Sequence, residues 1–215
     1  MTLKEQLDTK AAATKKVLAS EKYSIMDNAT NALIQSDITK NALKTGDTIN
    51  DFTLANATNT PVTLSNRLKN KRVVLSFYRG GWCPYCNMEL RALQNILPEI
   101  EANNAELIAI SPELPDQSLT TSEKNDISFQ VLSDVDNKVA KDLGLVFKMP
   151  KDLQDLYSNE FNIQVDQHNG NNDYELPLAA TYIINENGKI IYDFVTERYT
   201  ERAEPTDILA ALQNN

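Results

Sequence analysis

Apolar residues along the first 45 positions recur at helical spacing, with Leu3, Leu7, Val17 and Leu18 in one segment and Ala29, Leu33, Ile34 and Ile38 in the next. Neither segment contains glycine or proline, so the pattern predicts two helices. From Gly46 the texture changes. "DFTLAN" and "VTL" read as short strands, and "RVVLSFYR" is a continuous apolar run of the kind buried on both faces of a sheet. "NMELRALQNILPEIEANN" then places Leu90, Leu93, Ile96, Leu97 and Ile100 at helical spacing, and "AELIAISP" follows as another buried strand, which completes a strand–helix–strand crossover. "FQVLSD" predicts a further strand, "NKVAKDLGL" a short helix stopped by Gly144, and "KDLQDLYSNEF" one more helical stretch. "QHNGNNDYELP" reads as a polar loop. "ATYIINENGKIIYDFV" reads as two strands joined at Asn187-Gly188, a pair suited to the positive φ angles of a tight hairpin, and "PTDILAAL" as a final helix with Pro205 in its first turn. The predicted organisation is an N-terminal helical extension over residues 1–45, followed by one α/β unit over residues 46–215 with a central mixed sheet flanked by helices.

Composition narrows the partners. A chain of 215 residues with 41% hydrophobic content can bury one sizeable core. A net charge of −9 disfavours nucleic acid and anionic membrane surfaces, and no basic stripe overrides it. Charged residues interrupt every apolar stretch of the N-terminus, so neither a signal peptide nor a membrane span is expected, and a cytoplasmic location is.

In that compartment the two cysteines of the chain call for a chemical role. Cytosolic dithiols are kept reduced, and a bridge over two intervening residues closes almost no loop entropy. Cys83 and Cys86 lie in "YRGGWCPYCNMEL", between a buried strand and an amphipathic helix. The unpaired N–H groups of a first helical turn favour a thiolate, which makes Cys83 the nucleophile. Cys86, one turn deeper and within disulfide reach, is the resolving partner. Pro84 suits a turn that does not need its missing N–H, and Gly80-Gly81 permits a sharp bend with little bulk near the thiol, so substrate access is expected. Arg79, four residues before Cys83, reads equally as a thiolate stabiliser or as a surface ion pair, and Trp82 as a lid over the thiols or as ordinary packing.

The plainer readings carry less. With His168 the only histidine and no third cysteine, a tetrahedral metal site needs carboxylates or a second chain, so no metal or other cofactor is expected. Inert core cysteines are common, but "WCPYC" at a strand-to-helix junction is more specific than two scattered thiols. His168 lies in a polar stretch and reads as a solvated side chain before it reads as a base.

"FYRGGWCPYCNMEL" resembles the active-site segment of the thioredoxin superfamily, with tryptophan before C-x-x-C as in thioredoxins and "CPYC" as in glutaredoxins. The wider frame is similar to a peroxiredoxin of the alkyl hydroperoxide reductase and thiol-specific antioxidant branch. "KTGDTINDFTLAN" resembles that family's entry strand, with Asn50 where a proline is expected, while "LAATYIINENGKIIYDFV" and "ERYTERAEPTDILAAL" resemble its closing hairpin and tail. The resemblance covers about residues 46 to 215 and implies a thioredoxin-like fold. It also implies a threonine three residues before the nucleophile and an arginine just before the closing hairpin strand, positions held here by Gly80 and Ala179. Losing those groups implies slow peroxide chemistry unless Arg79 or another group substitutes. Pro177 matches the position of the cis-proline that faces the cysteines in thioredoxin-like folds.

The family frame favours a hydroperoxide reductase in which Cys83 becomes a sulfenic acid, Cys86 condenses with it, and an external dithiol of the thioredoxin or glutathione type reduces the disulfide. The motif alone favours a dithiol–disulfide oxidoreductase acting on protein or glutathione disulfides. A non-enzymatic redox switch is the third reading. Homo-oligomerisation is left open by the sequence.

Overall fold

A computed structural model describes residues 1–214. In chain order the elements are α1 (Leu3–Val17), α2 (Ser20–Gln35), β1 (Thr53–Asn56), β2 (Pro61–Thr63), α3 (Leu64–Arg67), β3 (Arg72–Phe77), α4 (Pro84–Asn95), α5 (Leu97–Ala102), β4 (Ala105–Ser111) and α6 (Pro115–Asn125). They continue with β5 (Gln130–Ser133), α7 (Lys138–Asp142), β6 (Val146–Lys148), α8 (Lys151–Asp155), α9 (Val165–Asn169), β7 (Glu175–Pro177), β8 (Ala179–Ile184), β9 (Ile190–Thr196) and α10 (Pro205–Asn214). Seven strands form one mixed sheet in the order β2-β1-β5-β4-β3-β8-β9, and β6 pairs with β7 in a separate antiparallel ribbon. β3 runs parallel to β4 and antiparallel to β8, so the strand that leads into the cysteines is central. This is a thioredoxin-like α/β fold with helices on both faces of a mixed sheet.

Strand alternation sorts β3 between two cores. Val73, Leu75 and Phe77 join a cluster with Ile108, Ile110 and Leu145 on one face. Val74 and Tyr78 join Leu90, Leu93, Leu107 and Ile183 on the other, under α4. Leu3 and Leu7 of α1 complete that second cluster, so the N-terminal extension is packed and not a free arm. A third cluster forms beside the sheet, where Leu153, Leu156, Tyr157, Val165 and Leu176 meet Met26 and Ala29 of α2.

Several expectations change. The helix predicted across residues 87–104 is two helices that part at Ile96, because Pro98 in the first turn of α5 has no N–H for a continuous ladder. The segment read as a polar loop holds most of α9 and all of β7; five-residue and three-residue elements are too short to show a period, and Gly170 at φ 69° ends the helix. α6 carries no apolar period, and its one large apolar side chain, Leu119, is 40% exposed. At the closing hairpin only Gly188 takes a positive φ, 77°, while the Asn185 side chain accepts from the N–H groups of Asn187 and Lys189 and shapes the turn. Among the described residues no helix is long and apolar enough to cross a membrane.

Candidate active site

Cys83 is the N-cap of α4, in extended geometry, with Pro84 at the first helical position, as the sequence predicts. Its carbonyl accepts from the Asn87 N–H at 3.1 Å, which fixes the start of the helix. The expected open approach is absent: both thiols are 0% exposed and reduced. The two glycines account for this by contact and not by vacancy. A Cβ on Gly80 would lie 2.3 Å from Trp82 Nε1, and one on Gly81 would lie 2.0 Å from Thr121 Oγ1, so these neighbours fill the room that the glycines leave. Gly80 also adopts φ 153°, a region that side chains rarely enter, so the threonine of the family pattern has no place here.

Arg79 is 6% exposed and donates from Nη2 to Cys83 Sγ at 3.1 Å. Its Nη1 lies 3.3 Å from the Tyr157 hydroxyl, and among the described residues no carboxylate pairs with it. The guanidinium sits over the rings of Trp82 and Tyr199, 5.1 and 4.7 Å from their centroids, and Trp82 packs edge-on against Tyr157 at 5.6 Å. The surface ion-pair reading of Arg79 therefore fails, and Trp82 packs against the arginine and Tyr157.

A second arginine serves the second thiol. Arg202, 6% exposed, donates from Nη2 to Cys86 Sγ at 3.0 Å, from Nε to the Glu89 carboxylate, and from Nη1 to the Tyr199 and Glu201 carbonyls at 3.0 and 2.5 Å. Glu89 is 1% exposed, with its other oxygen 3.2 Å from Ser76 Oγ on β3. Sequence reasoning missed Arg202 and Glu89. Glu89 lies on the buried face of α4 three residues past Cys86, a charge facing the core, and that was the available signal.

These contacts separate the two thiols. Burial opposes ionisation at Cys83, but the hydrogen bond from the Cys86 thiol and the charges of Arg79 and Arg202 outweigh it and hold Cys83 well below the usual thiol range. Burial and the neighbouring Cys83 push Cys86 well above it. Burial also raises the Glu89 carboxyl, against the pull of Arg202.

The remaining candidates divide. Pro84 is exposed at the helix start and caps the site from outside. The peptide bond before Pro177 is trans, and Pro177 pairs with Val146 across β6 and β7. It shares with Arg79 the wall of an apolar cavity. His168 Nδ1 lies 3.0 Å from Glu113 Oε1 without a hydrogen bond between them, while Glu113 Oε2 accepts from the Gly81 N–H at 2.9 Å; the histidine does not reach a thiol. Ala179 pairs with Thr196 across β8 and β9, leaving the family's arginine position apolar.

The sequence pattern described as the AhpC/TSA family matches residues 45–193. The chain belongs to the AhpC/TSA family. It is a peroxiredoxin-like protein of the thioredoxin superfamily. It is similar to a putative peroxiredoxin of Mycobacterium tuberculosis, 30% identical over 125 residues, 58% of this chain and 81% of that one. It is also similar to the putative peroxiredoxin Bcp of Haemophilus influenzae, 30% identical over 105 residues, where the match spans 49% of this chain and 67% of the relative. The crystal structure of peroxidoxin BcpB from Mycobacterium tuberculosis shares the fold, with a TM-score of 0.63 at 23% identity, over 80% of this chain and 97% of that one. All of α1, α2 and their connection lies before the family match, and so do Met26, Ala29 and Leu33.

Proposed function

We propose that the chain is a thiol-dependent peroxidase in which Cys83 attacks a hydroperoxide and Cys86 resolves the product. The Cys83 thiolate displaces the leaving oxygen of the peroxide, the O–O bond breaks, and the released alkoxide or hydroxide takes a proton as Cys83 becomes sulfenic acid. The Cys86 thiol then condenses with the sulfenic acid, forming the disulfide and expelling water. An external dithiol of the thioredoxin type supplies the two electrons that restore both thiols by exchange. A reducing cytoplasm is the setting that suits such a cycle.

The observation that carries this reading is the Arg79 contact with Cys83 Sγ at 3.1 Å, from a buried guanidinium that no carboxylate neutralises. In a dry site such a charge is worth far more than in water, and it stands where the family's threonine and arginine are missing. Its Nε has no partner among the described residues, which leaves a donor for a peroxide oxygen as charge develops there. The dithiol–disulfide reading is less well supported, since exchange depends on thiolate fraction and leaving-group pKa and has no need of a buried donor for a developing oxygen charge, which Arg79 supplies.

Treating the Cys86→Ser variant with cumene hydroperoxide, hydrogen peroxide or a small disulfide, in separate stopped-flow runs with a sulfenic-acid trap, tests the proposal. Trapped sulfenic acid on Cys83 with either peroxide supports it. Reaction with the disulfide alone would reassign the protein to thiol–disulfide exchange.

A further inference from the structure

Arg202 is paired with the buried Glu89, whereas Arg79 has the Cys83 sulfur and no carboxylate. With Cys83 ionised the charges around the thiol pair balance, two guanidinium groups against one carboxylate and one thiolate. Disulfide formation removes the thiolate alone. Cys83 S⁻ and the Cys86 thiol together give up two electrons and one proton, and the hydroperoxide, with one further proton from solvent, becomes alcohol and water. Arg79 is 6% exposed, so the oxidised protein holds a buried guanidinium whose counter-charge has gone and whose Nε has no partner among the described residues. An uncompensated buried charge is strongly destabilising, and an anion that reaches it relieves that cost.

A cavity of about 240 Å³ leads to Arg79 between α1, α2 and the loop that carries Trp82. Leu18, Met26, Trp82, Phe161 and Ile163 supply apolar wall, and the charged residues that line the space are Lys10 and Arg79, both cationic. The other cavity that Arg79 lines, of about 210 Å³, carries both Glu197 and Lys148, so an anion there faces a carboxylate. An apolar cavity of about 150 Å³ holds a benzene ring. The larger space therefore has room for a ring and a carboxylate, with two cations to meet the charge and no acid to oppose it.

We infer that the Cys83–Cys86 disulfide form binds organic carboxylates with an aryl or alkyl body, the carboxylate meeting Arg79 and the body filling the cavity between α1, α2 and Trp82. The site is gated by oxidation. In the reduced protein the Cys83 thiolate already engages the guanidinium and repels a second anion. The inference rests on the disulfide-forming step of the cycle above and adds a ligand that the cycle itself does not need. Lys10, Leu18 and Met26 lie before the part of the chain that matches the family, so the cavity belongs to the N-terminal extension. By linkage, the ligand stabilises the disulfide by the same factor that the disulfide strengthens binding, so a carboxylate holds the protein in its oxidised form.

Diamide prepares the disulfide form without any peroxide, its azo group taking up two electrons and two protons to become a hydrazine, and mass spectrometry verifies the bridge. Calorimetry with phenylacetate should then show binding about tenfold or more tighter to the disulfide form than to the reduced form, the size that one charge-assisted hydrogen bond gives. 2-Phenylethanol, neutral and of similar shape, should bind both forms alike. Arg79→Met should abolish the preference. Lys10→Gln, at an exposed position of α1, should weaken phenylacetate binding to the disulfide form several-fold and serves if Arg79→Met does not fold. In a thiol–disulfide redox buffer, saturating phenylacetate should shift the equilibrium toward the disulfide by the same factor as the binding preference. Equal phenylacetate binding to the two forms, or a preference that survives Arg79→Met, overturns the inference and leaves the peroxidase reading intact. A protein in which diamide forms no Cys83–Cys86 bridge overturns the inference and the resolving step together.

Discussion

Cys83 and Cys86 are three residues apart, equally buried, and each receives a guanidinium N–H at about 3 Å, yet one is held well below the usual thiol range and the other is pushed well above it. The difference lies in how the two thiols act on each other and in what else each arginine meets. Arg202 is paired with the buried Glu89, and its charge favours ionisation of both Cys83 and Cys86. Arg79 meets aromatic faces, the Tyr157 hydroxyl and the sulfur of Cys83, so its charge acts on the nucleophile. Two similar contacts give opposite results because Cys86 donates to Cys83 and then faces its negative charge, while the charges of both arginines add on Cys83. Proximity of an arginine to a thiol does not by itself identify a nucleophile.

The largest change should come from removing the uncompensated charge. Arg79→Met should slow Cys83 oxidation by hydroperoxide on the order of 100- to 1000-fold, the usual cost of losing a preorganised donor, with circular dichroism unchanged. Rapid turnover that survives the substitution would mean that another group supplies the charge. Glu89→Gln works from the other side of the comparison. It frees Arg202 to act on Cys86 and should raise the Cys86 thiolate fraction roughly tenfold for each pKa unit that it drops. The same change breaks a buried ion pair, so urea denaturation should show a loss of about 3–5 kcal/mol. A variant that loses that stability with no rise in Cys86 alkylation would remove Glu89 from the electrostatic account.

Gly80→Thr offers a smaller and opposite test. It restores the threonine of the family pattern, yet it should slow oxidation and destabilise the fold by about 1–3 kcal/mol, because φ 153° is strained for a side chain and Trp82 occupies the space. Faster peroxide reduction would show that the loop relaxes and that the family arrangement can be recovered.

The pH dependence should be the gentlest readout. A thiol with an ordinary pKa near 8.5 gains reactivity steadily as pH rises through neutrality. In the reduced wild type, Cys83 alkylation followed site by site should instead stay on a plateau through neutral pH and fall only on acidification, as the depressed folded pKa is crossed. The stability sign follows: ionised Cys83 stabilises the reduced fold above the unfolded thiol's pKa, and that contribution is lost as pH falls through the folded value.

How much of this was legible in the sequence depended on how local each signal was. The strand "RVVLSF" and the N-cap position of Cys83 follow from contiguous residues, and both are found where the pattern places them. Arg79 could be named because it is four residues from the thiol, though only burial without a carboxylate decided between its two roles. Arg202 could not be named, because it reaches Cys86 across 116 positions from a polar tail that also holds the half-exposed Arg198. Gly80 and Gly81 were read as open space, whereas Trp82 and Thr121 close against them, a fact of packing that composition does not carry. The walls of the apolar cavity come from segments as distant as α2 and β7, so no spacing rule brings them together.

Brief iodoacetamide treatment of the reduced wild type at pH 7, followed by mass spectrometry of each cysteine, tests the central claim most directly. Burial should make labelling slow for both thiols, and the thiolate held by Arg79 should place nearly all of the early label on Cys83. Equal labelling, or label on Cys86 first, would contradict the account, because Cys83 would then not be the sulfur that holds the negative charge of the pair.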